Sequence, residues 1–132
     1  MGIVVGYLAT PEGQTALDVA ATEAQRRAER LVVVVSDRGD ETPEQRRDLD
    51  AALDGIRGQL DTLGVTYEIR VLSRGRDVAE DLISTAEEIG ARLIVIGLRR
   101  RSPVGKLILG ANAQRILLDS PCPVLAVKPD AV

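Results

Sequence analysis

The strongest constraint on the fold comes from an uninterrupted apolar run, Leu31 to Val35. Successive side chains of a β-strand point to opposite faces of the sheet, so a strand of this composition must be buried on both faces. Such strands are typical of parallel sheets, in which helices connect successive strands and cover both faces. Two further apolar runs, Ile3–Tyr7 and Leu93–Ile96, indicate strands of the same kind.

Helix start and stop signals lie between these runs. Thr10 and Thr42 are each followed by a proline and then a glutamate, the order of an N-cap, a first helical residue and an acidic first turn. Asp77 is the predicted N-cap of a third helix, and Gly64 is suited to end the second. A fourth helix is predicted over Ala111–Leu118.

The two remaining strands differ in pattern. Thr66–Leu72 alternates apolar with charged residues, which predicts a strand with one wet face at an edge of the sheet. Cys122–Val127 is predicted to be the last strand. The order βαβαβαβαβ predicts an α/β fold with a doubly wound five-stranded parallel sheet and helices on both faces, forming a single domain over residues 1–132. Ligands of such sheets bind beyond the carboxyl ends of the strands, where the winding direction reverses.

Composition narrows the possible functions. The chain has no histidine and a single cysteine, Cys122, which we expect to be a buried structural thiol. The lack of histidine excludes catalysis by an imidazole base or by a serine or cysteine nucleophile paired with histidine. Together with the single cysteine, it also excludes zinc sites with the usual ligands. We therefore predict no catalytic and no metal-binding residue. The net charge of -3 disfavours nucleic-acid binding. The apolar runs are too short to span a membrane, and the first residues lack the basic region of a secretory signal, so we expect a cytoplasmic protein with no membrane partner.

The segment from Gly97 to Gly110 is the candidate ligand loop. It precedes the fourth helix, whose free N-terminal amides favour anions. Its basic residues are Arg99, Arg100, Arg101 and Lys106. A phosphate site and a solvated basic loop are both consistent with this pattern. The spacing fits neither a Walker A loop nor a Rossmann glycine fingerprint.

The sequence also resembles the universal stress protein family, most specifically in the segments LIVIG, LILG and AQRILLDSPCPVLAVK between residues 93 and 128. The resemblance extends over essentially the whole chain. It implies a sheet in the order 3-2-1-4-5, a cytoplasmic location, a stress-related regulatory role and, usually, a dimer. One branch of the family binds ATP through the motif Gly-x2-Gly-x9-Gly-Ser/Thr, and the other branch binds no nucleotide.

The resemblance places the motif on particular residues of this chain. Gly97 and Gly110 match its first and third glycines. Arg100 stands at the second glycine and Ala111 at the Ser/Thr, while Leu8 aligns with an aspartate that contacts the nucleotide in ATP-binding members. Ala113 stands where many ATP-binding members keep a further hydroxyl, so three hydrogen-bonding side chains are lost. The arginine guanidinium would either fill the phosphate space or bind the phosphate.

We therefore expect a nucleotide site between strands one and four. Its predicted phosphate end consists of Gly97, Arg99, Arg100, Gly110, Ala111 and Asn112. Its predicted base end consists of Leu8, Ala9 and Val34 or Val35. The expected ligand is ATP or AMP, with Mg²⁺ in the case of ATP. The alternatives are an interaction module that needs no nucleotide and a slow ATPase.

The last strand indicates self-association. Residues Val124–Val127 are all apolar, and in the implied order this strand forms an edge of the sheet. An exposed apolar edge promotes association unless it is covered. We therefore predict a homodimer formed through Val124–Val127 across a two-fold axis, and a further protein partner of unknown identity.

Overall fold

The computed structural model describes residues 2–8, 10–37, 42–73, 77–98 and 111–128. Within these ranges strands and helices alternate along the chain. The strands are β1 (Gly2–Gly6), β2 (Arg30–Asp37), β3 (Tyr67–Ser73), β4 (Leu93–Gly97) and β5 (Val124–Val127). The helices are α1 (Pro11–Arg27), α2 (Pro43–Leu63), α3 (Val78–Ile89) and α4 (Ala111–Asp119).

All neighbouring strands are parallel and the sheet has the order β3-β2-β1-β4-β5. The predicted α/β fold and strand order are confirmed, and β3 lies at an edge as its alternating pattern predicted. The winding reverses between β1 and β4, whose pairing includes Val5 with Val95. Their carboxyl ends therefore lie side by side.

The predicted helix caps are confirmed. The Thr10 hydroxyl accepts a hydrogen bond from the Gly13 amide at 3.1 Å, and the Asp77 carboxylate accepts one from the Glu80 amide at 2.8 Å. Thr42 and Gln45 form both bonds of a capping box. Caps of this kind each stabilise a helix by about 1 kcal/mol.

The two faces of the sheet carry separate cores. Alternate residues such as Val5, Val33 and Val35 pack against α1 and α2. The intervening residues of the strands, such as Val34, point to the opposite face and pack there with α3 and with Ile116 of α4. Both faces are covered, as the apolar composition of the central strands required.

Strand β2 is longer than predicted. The apolar run that predicted this strand ends at Val35, but the structure continues the strand to Asp37 because β3 runs alongside it, pairing Ser36 with Leu72. Backbone pairing thus extends the strand past the end of its apolar side chains. The extension carries Ser36 to the carboxyl edge of the sheet.

Strand β5 is shorter than predicted and begins at Val124. The Ser120 hydroxyl accepts a hydrogen bond from the Cys122 amide at 3.2 Å, which holds that amide in a turn. Cys122 packs against the core on the α3 face but is only half-buried, so it is less buried than predicted. None of the described helices is both long enough and apolar enough to cross a membrane.

Candidate functional site

A cavity of about 150 Å³ opens at the carboxyl ends of β1, β2 and β4. Its floor includes Gly6, Val34 and Ile96, one residue from each of these strands. Helix α3 contributes Val78 and Leu82, and α4 contributes Asn112, Ala113 and Ile116. The cavity therefore lies where the winding reverses, which is where doubly wound sheets bind their ligands.

Most of the side chains that line the cavity are apolar. Among the described lining residues, Ser36 projects from β2 and Asn112 from the first turn of α4. Adjacent strands are about 4.8 Å apart, so β2 and β4 lie roughly 10 Å from each other on either side of β1. Tyr7 also lines the cavity, but its side chain belongs to the core on the α1 side.

Ser36 is held by a buried carboxylate. Its hydroxyl donates a hydrogen bond to Oδ2 of Asp81 at 2.7 Å. Asp81 lies in the first turn of α3 and is only 3% exposed. A buried carboxylate needs hydrogen-bond donors to offset its lost hydration. This bond ties the end of β2 to α3 at the margin of the cavity.

Ion pairs hold α4 against α3 beside the cavity. The Arg115 guanidinium contacts Asp77 at 3.0 Å and Glu80 at 3.3 Å. These side chains are about half exposed, so each pair contributes at most about 1 kcal/mol. The contacts link α3 to α4, whose N-terminal turn supplies Asn112 to the cavity.

The end of β4 packs tightly against α1. A Cβ atom on Gly97 would lie 2.3 Å from the backbone oxygen of Glu12. Gly13 is equally constrained, since a Cβ there would lie 1.9 Å from the backbone oxygen of Leu8. These glycines allow the start of α1 to lie directly over the ends of β1 and β4.

The structure brings several of the predicted site residues together. Leu8, Val34, Gly97 and Asn112 line the same cavity. Ala111 is exposed at the start of α4 and is not among the lining residues. Val35 packs in the core on the opposite face, so of the two valines proposed for the base end, the geometry selects Val34. Ala9, Arg99, Arg100 and Gly110 lie outside the described residues.

Ser36 and Asp81 were not predicted as site residues. The sequence signal was weak, because Ser36 follows the apolar run of β2 and resembles the start of a loop. Asp81 occurs in the acidic first turn of a helix, where a solvated carboxylate is the usual interpretation. The available clue was the spacing, since Asp81 lies three residues after Val78 and so falls on the sheet-facing side of α3.

A second concavity, of about 460 Å³, lies at the opposite end of the sheet. It is lined by the end of α1 and by the chain that enters β2 and β3, including Gln25, Glu29 and Thr66. Although its volume is larger, it lies at the amino ends of the strands. We assign the site to the smaller cavity because ligands of doubly wound sheets bind at the carboxyl ends.

Comparison with known proteins places this fold in a family. The model of the Usp family, described as the universal stress protein family, matches residues 1–128. The chain belongs to the universal stress protein family. A universal stress protein from Mycolicibacterium smegmatis is 43% identical over 127 residues, covering 96% of this chain and 97% of the relative. The resemblance noted from the sequence is thereby confirmed.

Solved structures of universal stress proteins match over nearly the whole chain. One from Archaeoglobus fulgidus is 32% identical with a TM-score of 0.80, covering 97% of this chain and 98% of the other. A universal stress protein from the same organism in complex with dAMP is 26% identical with a TM-score of 0.74, with the same two coverages of 97% and 98%. A universal stress protein of this fold therefore binds an adenine nucleotide.

Proposed function

We propose that this chain binds an adenine mononucleotide in the cavity at the carboxyl ends of β1, β2 and β4. In this proposal it acts in the cytoplasm as a non-catalytic regulatory protein of the stress response. The observation that carries the proposal is the cavity itself, with a mostly apolar lining and with the polar side chains of Ser36 and Asn112 supplied by different elements, β2 and α4. The dAMP complex of a universal stress protein supports the choice of ligand.

The dimensions of the cavity suit a base more than a whole nucleotide. Cavities of about 150 Å³ hold a ring the size of benzene, whereas pockets for larger ligands usually measure about 300–1,000 Å³. The apolar lining from Val34, Leu82 and Ile96 would contact the faces of a purine. The sugar and phosphate would then lie toward the open side, near α4.

The start of α4 would receive the phosphate. The first amides of a helix have no partners within the helix, and its dipole favours an anion. Asn112 adds a side-chain amide at the same place. Ala111 lacks the hydroxyl that the ATP-binding motif has there, and each hydrogen bond to a charged phosphate contributes about 1.5–3 kcal/mol. We therefore propose AMP as the preferred ligand and weaker binding of ATP with Mg²⁺.

Titration calorimetry with AMP, and separately with ATP and Mg²⁺, tests this proposal. We expect saturable binding of AMP with a dissociation constant below about 1 mM, equivalent to about 4 kcal/mol. A phosphate-release assay in the presence of ATP tests the slow-ATPase alternative, for which we expect no release above the buffer rate. Failure of AMP to bind at millimolar concentration would overturn the nucleotide proposal.

We also propose that the chain forms a homodimer through β5. Strand β5 pairs with β4 on one side, and its outer edge faces no described element of this chain. Leu125 is 37% exposed on that strand. A second copy pairing edge to edge would cover both the leucine and the unpaired backbone groups. A homodimer of this kind is also compatible with the alternative function, an interaction module that contacts another protein without a nucleotide.

A further inference from the structure

Ser36 presents hydrogen-bond acceptors to the cavity. A hydroxyl group has one hydrogen to donate and two lone pairs to accept with. The hydrogen of Ser36 is directed at Oδ2 of Asp81, 2.7 Å away, and is therefore committed. Toward the cavity, the Ser36 oxygen can therefore only accept a hydrogen bond. A ligand group opposite Ser36 is favoured if it carries an N–H or O–H donor.

The direction of this hydrogen bond is fixed by the position of Asp81. The backbone amide of Asp81 donates to the Asp77 carbonyl at 3.1 Å, which anchors the residue in the first turn of α3. With the residue only 3% exposed, its carboxylate has little access to water. If Ser36 rotated to donate into the cavity, the buried carboxylate would lose a donor, which is costly. Ser36 therefore remains an acceptor toward the ligand.

The other polar groups lie elsewhere. Asn112 projects from the first turn of α4, and the Tyr7 side chain packs in the core on the α1 face. Leu8, from the loop after β1, has no hydrogen-bonding side chain. Among the described lining residues, Ser36 is the polar side chain that β2 contributes, and the proposed orientation, with the phosphate near α4, puts the base beside this strand.

We infer that Ser36, oriented by Asp81, selects a nucleobase that carries an exocyclic amino group. This inference rests on the proposed nucleotide function and deepens it. The amino group of adenine donates a hydrogen bond to the Ser36 oxygen, while a base without an amino group leaves that oxygen without a donor. Ser36 is thus a specificity-determining residue, and Asp81 is a positioning residue that acts through it.

The test compares AMP with purine riboside 5′-monophosphate, which lacks only the amino group. Calorimetry on the wild-type protein is expected to show AMP binding about three- to tenfold more tightly, the effect of one neutral hydrogen bond. In the Ser36→Ala variant the two dissociation constants become equal within about twofold. Ser36→Thr keeps the hydroxyl and retains the preference for AMP.

Ser84→Ala is the matched control. It removes a hydroxyl from α3, but one that donates to the Glu80 backbone carbonyl at 2.6 Å and does not line the cavity. The preference for AMP should be unchanged in this variant. A loss of preference in Ser84→Ala equal to that in Ser36→Ala would overturn the assignment to Ser36.

The outcomes of these titrations distinguish a failure of this inference from a failure of the proposed nucleotide binding. Equal binding of both nucleotides by the wild-type protein would overturn the role of Ser36 and leave nucleotide binding established. This wild-type comparison can still overturn the inference if Ser36→Ala fails to fold, and Ser36→Thr then remains as the variant at this position. Binding of neither nucleotide would overturn the proposed function and the inference together.

Discussion

Gly97, at the end of β4, lies against the backbone of Glu12 at the start of α1, so that a Cβ atom on the glycine would be 2.3 Å from the Glu12 oxygen. Real Cβ atoms do not approach backbone oxygen so closely, so a side chain at this position would force β4 and α1 apart. The glycine matches the first glycine of the family's nucleotide motif. Its position shows a packing requirement that holds whether or not a nucleotide is bound.

Gly97→Ala is therefore expected to destabilise the protein. Moving two backbone segments apart in a packed core costs about 1–3 kcal/mol, and urea unfolding followed by circular dichroism measures the change. Gly58→Ala is the control, because nothing lies within 4 Å of a Cβ atom at that exposed position in α2. It should stabilise the protein by about 0.4–1 kcal/mol. Equal stability of the two variants would contradict this packing argument.

Filling the cavity should block nucleotide binding. Ala113 lines the cavity from α4, and Ala113→Leu would place additional carbon atoms in about 150 Å³ of space. We expect its AMP dissociation constant to rise at least about tenfold, or about 1.4 kcal/mol, in titration calorimetry. Ala51→Leu makes the same change on the exposed face of α2 and should bind AMP as the wild type does. Undiminished binding by Ala113→Leu would place the ligand elsewhere.

The homodimer prediction concerns β5. Light scattering after size exclusion is expected to give twice the 14.2 kDa mass of the chain at micromolar concentration. Leu125→Arg would place a charge in the paired edge and should weaken the dimer by about tenfold or more, since an unpaired buried charge is costly. Val71→Arg is the control, because Val71 is 41% exposed on β3 at the other edge of the sheet. A monomeric wild-type protein would contradict the prediction.

Alkaline pH should destabilise the fold through Tyr7. Burial raises the pKa of the Tyr7 phenol above its usual value of 10.0. Below pH 10 both states keep the proton and the contribution to stability is constant. Above it the unfolded chain releases the proton first, so stability falls as pH rises toward the folded-state pKa. Tyr7→Phe should lose less stability over this range than the wild type, as measured by urea unfolding at a series of pH values.

The sequence predicted the architecture well because its strands are unusually apolar. The run Leu31–Val35 required burial on both faces, and the proline-containing caps at Thr10 and Thr42 set the helix starts. The same run could not show which valine faces the cavity, because an unbroken apolar segment carries no two-residue period. The structure separates Val34 from Val35 by the face on which each packs.

The polar part of the site could not be predicted in the same way. Ser36 belongs to β2 only because β3 pairs alongside it, which is a long-range contact. Its bond to Asp81 joins residues 45 positions apart in the chain. From the local sequence, Ser36 resembles an ordinary loop serine and Asp81 an ordinary aspartate in the first turn of a helix. Their meeting at the cavity depends on the complete fold.

The most direct test of the account is an AMP titration of the ¹⁵N-labelled protein followed by nuclear magnetic resonance. We predict that the backbone amides of Gly6, Ser36, Ile96 and Asn112 shift together with a single dissociation constant, because they surround one cavity. Amides at the opposite end of the sheet, such as those of Glu29 and Thr66, should not move. Shifts confined to that opposite end, or none up to millimolar AMP, would contradict the central claim that this cavity is the nucleotide site.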